Sequence, residues 1–259
     1  MRHKGRSRSE SFFTVVSDIE SKKVIWVSEG RSKEALDQFF ELIGTKACKE
    51  IVVVATDQFD GYGASAKQYC KNATLVWDRF HLMKNFNDAV NETRRELHAK
   101  AGKGDPILQL ARPKYKYIFL QKDSRRSSRD KRHIEEVFRQ NGQFLQLDLI
   151  KESMLTFFDA ENETIAKERL DEITMWAYQA KFEPIKKCLE QLHKGWETLK
   201  NYFKFRVSTG LSEGINNVIK ALKRRAFGYQ NKEYFRYKIM QVCGYLNSRY
   251  INNLQKLAR

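Results

Sequence analysis

Three carboxylates in this sequence have the type and spacing to hold divalent metal ions. Asp57 and Asp78 each follow a short apolar run, at 51–55 and 73–77, and Glu213 lies in a late segment with helical spacing. Mg²⁺ and Mn²⁺ prefer carboxylate oxygens as ligands. Because two such ions about 4 Å apart can bridge a scissile phosphate, these residues point to metal-dependent phosphodiester chemistry.

The two apolar runs have to position the aspartates. Both runs are short, and a helix-length segment separates them. This pattern predicts neighbouring parallel strands of an α/β sheet. Ligands bind at the carboxyl ends of such strands, so Asp57 and Asp78 are expected at one edge of the sheet.

Further elements are predicted on either side of these strands. Residues 12–16 and 24–27 read as the strands of a β-hairpin, with Asp18 in its turn. Ser32 can cap a helix that ends near Gly44. Two more helices are predicted, at about 62–72 and from residue 80 toward residue 97.

The middle of the chain is predicted to be a helical insertion. Between residues 99 and 205 apolar residues recur at three- and four-residue steps, as in amphipathic helices. The predicted helices span 134–140, 144–158, 162–179 and 184–202. The basic, serine-containing run Lys122–Arg132 has two interpretations, a solvated mobile loop or a DNA contact.

The segment around Glu213 is predicted to form a helix with two different faces. Its apolar face carries Ile215, Val218, Ile219 and Leu222. Its polar face carries Glu213, Asn217, Lys220 and Arg224, at steps of four, three and four. One face can therefore pack on a sheet while the other presents a carboxylate and a row of cations.

Composition limits the function classes. The formal net charge of +16 over 259 residues suggests a polyanionic partner, with nucleic acid as the first candidate. No apolar run approaches the roughly 18–20 residues needed to cross a bilayer, so a soluble cytoplasmic protein without a membrane partner is expected. The four cysteines form no CxxC pair, which argues against a zinc ribbon or disulfide framework and favours reduced thiols in or near the core.

Each candidate residue also has a purely structural interpretation. Asp57 could end a strand or cap a helix, and Asp78 could cap the helix that starts near Phe80 or pair with Arg79. Glu213 could serve only the helix N-terminus, where an acidic side chain is favourable. Spacing alone leaves these alternatives open.

Several strings in the chain resemble the DDE transposases of bacterial insertion sequences. They are Val-Val-Ala-Thr-Asp57, the Asp-Arg-Phe-His-Leu string that begins at Asp78, the Glu-Gly-Ile-Asn-Asn string that begins at Glu213, and the Arg-Ala-Phe-Gly-Tyr string that begins at Arg225. More narrowly, the chain is similar to the family with a DRFH motif after its second acidic strand, and the similarity covers nearly the whole chain.

The resemblance implies an α/β fold with an RNase H-like mixed sheet, flanked by helices and interrupted by a mainly α-helical insertion. In that arrangement residues 1–98 form the first part of the core, 99–205 the insertion, and 206–259 the completion of the core with the glutamate helix. It further implies two Mg²⁺ or Mn²⁺ ions, DNA as substrate, a homo-oligomer on element ends and a nucleoid-associated location in a bacterial cytoplasm.

The resemblance also assigns roles to residues. Asp57 matches the second acid of the catalytic triad and Glu213 the third, and both are expected to bind metal. Asp78 matches the aspartate of the DRFH motif, close to the site. The residues expected to contact DNA are Asn217, Lys220, Lys223, Arg224 and Arg225.

One departure concerns the start of the chain. The family has its first acid on the first of three antiparallel strands, whereas here only two strands precede the first helix and Asp18 falls at a turn. The expectation is therefore an N-terminally truncated transposase catalytic domain that performs strand cleavage and strand transfer. The alternatives are a catalytically inactive remnant that only binds DNA or a partner, and, ranked last, a stand-alone nuclease with Asp18 as its first acid.

Overall fold

The computed structural model describes residues 12–58, 60–102, 105, 107–110, 112, 115–207, 210–225 and 231–245, with only the backbone of residues 109, 110 and 211. Sequence features at residues 1–11, 208–209 and 226–230 lie outside this part of the chain. The described residues divide into two compact units. The first unit combines Met1–Phe80 with Ser208–Arg259, and the second is His81–Val207.

The elements follow one another along the chain in this order: β1 Phe13–Asp18, β2 Lys23–Glu29, α1 Lys33–Glu50, β3 Val53–Thr56, α2 Asp60–Tyr69, β4 Thr74–Trp77, α3 Arg79–Lys100, α4 Ile107–Leu110, α5 Lys116–Leu120, α6 Ser128–Gln140, α7 Gly142–Phe157, α8 Glu163–Gln179, α9 Glu183–Lys194, α10 Trp196–Leu199, α11 Asn201–Phe205, α12 Gly210–Arg225 and α13 Lys232–Cys243. A 3₁₀ turn at Asp123–Arg125 precedes α6. The fold class is α/β, with helix in excess of strand.

In the described part of the chain, four strands form two separate pairs. β1 and β2 are antiparallel, which confirms the predicted hairpin, and β3 and β4 are parallel, which confirms the predicted neighbouring strands. Each pair is a two-stranded sheet within the described residues. The α/β class is therefore confirmed, whereas the RNase H-like mixed sheet remains a prediction.

The hairpin carries one core of the first unit. Val24 and Val27 of β2 are buried against Ile215 of α12 and against Phe235 and Ile239 of α13. Three residues of the apolar stripe predicted for α12, Ile215, Ile219 and Leu222, belong to the face that packs, whereas the fourth, Val218, is 38% exposed. Burial of the packed face leaves the opposite face of α12 in solvent.

A second core of this unit lies under α1. Leu36, Phe39 and Phe40 are buried there with Cys48 and Cys70. Ser32 caps α1 as predicted, its Oγ accepting a hydrogen bond of 3.3 Å from the Ala35 N–H. The predicted end at Gly44 is a break inside the helix: Gly44 has φ 79°, a left-handed conformation that favours glycine, and helical structure resumes as far as Glu50.

The second unit is helical throughout its described part. The predicted helices at 134–140, 144–158 and 162–179 correspond to α6, α7 and α8, with α6 beginning earlier than predicted. The fourth predicted helix consists of three shorter ones, because α9 ends at Lys194 with Gly195 as its C-cap, and α10 and α11 follow.

The described residues also bear on further expectations from the sequence. The interpretation of Lys122–Arg132 as a mobile loop is wrong, since this stretch forms the 3₁₀ turn and the first turns of α6. The four cysteines are free, and burial raises the pKa of Cys70 to about 12 and that of Cys188 to about 11. Among the described helices, none is both long and apolar enough to cross a membrane.

Candidate active site

The carboxyl ends of β3 and β4 bring Asp57 and Asp78 to one edge. The register pairs Val53 with Thr74 and Thr56 with Trp77, so each aspartate is the next residue after a paired position. The Asp78 N–H donates a hydrogen bond of 2.7 Å to the Thr56 carbonyl oxygen, which continues the ladder past the strands. Because neighbouring strands lie about 4.8 Å apart, this register places two carboxylate-bearing residues side by side.

Asp57 is paired with an arginine. The Arg31 Nη2 donates to Asp57 Oδ2 at 2.8 Å, and the Asp57 side chain keeps 18% of its surface exposed. Gly30, with φ 90°, turns the chain between β2 and Arg31, and its N–H donates to the Phe12 carbonyl oxygen at 2.8 Å. The turn holds the guanidinium at the carboxyl edge of β3.

The Tyr62 hydroxyl is close enough to feel the charges of this ion pair, and it contacts the Thr14 hydroxyl. Thr14 Oγ1 donates to the Gly30 carbonyl oxygen at 2.9 Å and lies 2.7 Å from the Tyr62 hydroxyl. Because the Thr14 proton is already used, Tyr62 is the donor in the second contact. Burial raises the pKa of Tyr62, and the Asp57 charge adds to the rise, so the phenol is neutral.

The sequence assigned no role to Arg31, Thr14 or Tyr62. Thr14 and Tyr62 carry no motif, and only the fold brings β1 and α2 together. Arg31 follows the glycine that ends the hairpin, and this Gly-Arg pair was the one local signal available.

Asp78 is buried and has a structural task. Its residue is 4% exposed, and its Oδ1 accepts a hydrogen bond of 2.8 Å from the Phe80 N–H at the start of α3. The N-cap interpretation is therefore confirmed. The cap uses one oxygen of the Asp78 carboxylate. A role for Asp78 in the site, beside Asp57, stays a prediction.

Asp18 belongs to the hairpin turn. It ends β1, and its carboxylate accepts hydrogen bonds from the Glu20 N–H at 3.2 Å and from the Ser21 N–H at 3.0 Å. Hydrogen bonds from Ser21 hold the pKa of this carboxyl below its usual value. These contacts give Asp18 a structural role in stabilising the hairpin turn.

Glu213 lies in the first turn of α12 and is exposed. The buried Ile215 and the partly buried Ile219 and Leu222 attach α12 to the hairpin core. The residues predicted to contact DNA are all exposed, which agrees with their predicted face: Asn217, Lys220, Lys223, Arg224 and Arg225. Among the described residues these four cations have no ion pair.

No complete metal-binding cluster is present in the described part of the chain. There, no group of three or more His, Cys, Asp or Glu side chains is placed to hold an ion. The structure brings Asp57 and Asp78 to one edge and does not join Glu213 to them in such a group. Mg²⁺ usually keeps several waters and takes one or two carboxylates together with substrate phosphates, so the two-aspartate edge suits it.

Comparison with known sequences decides the family. The model of a family described as transposase, the ISL3-type DDE transposases, matches residues 3–239. The chain belongs to this transposase family. The match includes Asp57, Asp78 and Glu213, and it confirms the resemblance that the motifs suggested.

Two relatives of the transposase family are similar along most of the chain. The transposase for insertion sequence element IS1001 of Bordetella parapertussis is 24% identical over 237 residues, which are 92% of this chain and 57% of that protein. The transposase for insertion sequence element IS1557 of Mycobacterium tuberculosis is 23% identical over 246 residues, 87% of this chain and 55% of its own length. The chain thus spans a little over half the length of these transposases. No solved structure matches it.

Proposed function

We propose that this chain supplies the catalytic part of an insertion-sequence transposase, which cuts DNA strands at element ends and joins them to a target. One observation carries the proposal: in a chain of the transposase family, the parallel register of β3 and β4 places Asp57 and Asp78 at the same edge. The RNase H-like sheet, the insertion at 99–205 and the oligomer on DNA ends belong to the same proposal.

Asp57 and Asp78 would hold the metal ion at this edge. A bound Mg²⁺ or Mn²⁺ activates a nucleophile and stabilises the leaving oxygen of a phosphodiester. Asp57 is the more accessible ligand, because Asp78 is buried and uses one oxygen as the α3 cap. When no metal ion is bound, the Arg31 guanidinium compensates the Asp57 charge. Because the Arg31 side chain is 42% exposed, it has room to turn toward a DNA phosphate.

Glu213 would serve as the third acid, from the first turn of α12. The exposed cations that follow it on the same helix would bind phosphates on either side of the cleaved bond. Such contacts position the duplex and carry no base specificity. The buried Ile215 and the partly buried Ile219 support this orientation, because they leave the opposite face of α12 exposed for DNA.

The experiment is a cleavage assay with the purified chain and labelled duplexes that carry the element ends, with Mg²⁺, Mn²⁺ or EDTA. Nicking that requires metal is expected, and it should be lost in Asp57→Asn and in Glu213→Gln. The matched controls are Asp60→Asn, an exposed acid in the first turn of α2, and Glu233→Gln, an exposed acid in the first turn of α13. Both controls should cleave as the parent chain does.

Direct Mn²⁺ titration gives a second readout. Asp57→Asn should weaken Mn²⁺ binding by at least tenfold, whereas Asp60→Asn should leave it unchanged. Unaltered Mn²⁺ affinity in Asp57→Asn would overturn the metal site at this edge. Tight DNA binding without cleavage in any metal would replace the proposal by the alternative, a DNA-binding function alone.

A further inference from the structure

A cationic surface in the second unit lies outside the residues that the catalytic proposal uses. It consists of the side chains of Lys122, Arg125, Arg129 and Arg132, here named the arginine ridge. All four are exposed, and the structure gives them a fixed backbone.

The backbone of the ridge is ordered by local capping. Lys122 precedes the 3₁₀ turn that Arg125 ends, and Ser127 then caps α6. The Ser127 Oγ accepts a hydrogen bond of 3.1 Å from the Asp130 N–H and donates one of 2.7 Å to the Asp130 carboxylate. Asp130 is thereby occupied within the cap.

A buried ion network anchors the ridge from beneath. Arg126, 5% exposed, donates to both oxygens of Asp148 at 2.9 and 2.5 Å and to the Ile118 carbonyl oxygen at 3.1 Å. Lys151, 1% exposed, donates to the Phe119 carbonyl oxygen at 2.9 Å and to Asp148 at 2.8 Å. Within the basic run, Arg126 is therefore buried as an anchor, whereas the ridge residues around it are exposed to solvent.

The exposed cations of the ridge are not neutralised by the acids around them. Asp123 is held by Lys131 at 2.9 Å and by Arg126, and these contacts lower its pKa. Glu136 pairs with Arg139 at 3.3 Å. Within the described part of the chain, none of the four ridge side chains pairs with a carboxylate, and Glu135 is the remaining exposed acid of α6.

The ridge suits phosphates more than any other anion. A guanidinium presents a planar fork of donors that matches phosphate oxygens, and three of the four ridge residues are arginines. Arg129 and Arg132 are three residues apart on α6 and therefore share a face. Exposed Ser124 and Ser128 add hydroxyl donors of the kind that contact DNA backbones.

We propose that the arginine ridge is a second DNA-contact surface, in the helical unit, that binds the phosphate backbone without base specificity. The proposal rests on DNA as the partner of the transposase and is independent of the catalytic carboxylates. Because the anchor orders the backbone of the ridge before binding, the conformational entropy lost when the duplex docks comes mainly from the exposed side chains.

The test is fluorescence anisotropy of a labelled duplex of arbitrary sequence, titrated with the chain at several salt concentrations. Arg125→Gln/Arg129→Gln/Arg132→Gln should lower the slope of log affinity against log salt by about 2.7, from about 0.9 for each lost phosphate contact. At 0.1 M salt the variant should bind at least tenfold more weakly.

The matched control removes the same number of charges from the same unit. Lys167, Lys186 and Lys200 already pair with Asp171, Glu183 and Glu197, so Lys167→Gln/Lys186→Gln/Lys200→Gln should change the slope by less than half as much. Equal losses in the two triple variants would overturn the ridge as a site, because net charge would explain both. Circular dichroism and urea titration of both variants check that each is folded.

A third variant separates this inference from the proposed function. Lys220→Gln/Arg224→Gln removes charges from α12 in the first unit. If the α12 variant binds DNA more weakly and the ridge variant binds it as the parent chain does, the ridge is not a DNA-contact surface, and the transposase proposal is unaffected. Absence of DNA binding by the parent chain would overturn both.

Discussion

Two aspartates, each paired with an arginine, have opposite surroundings in the two units. Asp57 meets Arg31 at the end of a strand, with 18% and 42% of the side chains exposed. Asp148 meets Arg126 and Lys151 inside the helical unit, where the side chains of both cations are 1% exposed. The first pair is partly open to solvent, whereas the second is part of the core.

The difference shows how to separate a site from a support among ionic contacts. A buried carboxylate satisfied by two cations has no capacity left for substrate, and its loss leaves uncompensated charges in the interior. A half-exposed pair contributes little to stability, so its residues can be used for binding. The contrast predicts that function and stability depend on different aspartates.

The largest expected effect is on stability in the second unit. Asp148→Asn should lower the free energy of unfolding by about 3–5 kcal/mol, because Arg126 and Lys151 would lose their shared buried carboxylate. Urea denaturation followed by circular dichroism measures the change. Asp171→Asn, whose side chain is 55% exposed beside Lys167, is the control and should cost less than about 1 kcal/mol. Equal losses in the two variants would remove the distinction between the pairs.

The corresponding substitution in the first unit should have little effect on stability and a large effect on cleavage. Asp57→Asn should alter the free energy of unfolding by less than about 1 kcal/mol, because its ion pair is partly solvated. The same urea titration provides the comparison, and the cleavage assay provides the functional loss. A destabilisation as large as that of Asp148→Asn would show that Asp57 is a structural aspartate.

Arg31 offers a sharper test of the open pair. Arg31→Gln removes the cation that competes for the Asp57 carboxylate, so Mn²⁺ affinity should increase by roughly fivefold, or about 1 kcal/mol. Isothermal titration calorimetry measures this. Lys33→Gln, which removes a cation paired with Asp37 on the neighbouring helix, is the control and should leave Mn²⁺ affinity close to that of the parent chain. Unchanged or weaker Mn²⁺ binding in Arg31→Gln would contradict the competition.

The smallest expected effect is a pH dependence in the second unit. His193 Nδ1 lies 3.0 Å from Lys167 Nζ, and its Nε2 lies 2.8 Å from the Thr174 hydroxyl, which itself donates to the Leu170 carbonyl oxygen. The neutral ring with the proton on Nε2 satisfies all three contacts. Burial and then Lys167 lower the pKa of His193.

The lowered pKa of His193 determines how stability changes with pH. The unfolded chain binds the proton at a higher pH than the folded chain, so stability is present above the ordinary histidine pKa and falls as the pH decreases through it. Urea midpoints between pH 8 and pH 5 should therefore decline more in the parent chain than in His193→Gln. Parallel declines in the two proteins would exclude His193 as the source.

Local elements followed from local pattern. Apolar runs near Asp57 and Asp78 predicted parallel strands, and the structure pairs them in that sense. The two-faced spacing after Glu213 predicted which side of α12 is buried. Both predictions succeeded because apolar runs of strand length and apolar residues at helical spacing reflect local backbone geometry, which neighbouring residues specify.

The charges were harder to interpret from the sequence. Arg126 and Arg129 are the same residue type in the same basic run, yet Arg126 is buried and Arg129 is exposed. The partner of Arg126 is Asp148, on another helix, and burial of such a pair depends on how the helices pack. No local pattern carries that information.

What the sequence determined by itself was the set of carboxylates, the strands that end at two of them and the transposase family. The tertiary structure decided which charges are available: it placed Arg31 and a neutral Tyr62 at Asp57, used Asp78 as a cap and enclosed Asp148. The physical reason is that the free energy of a charge depends on its solvation and its partners, and both come from residues that are distant in the chain.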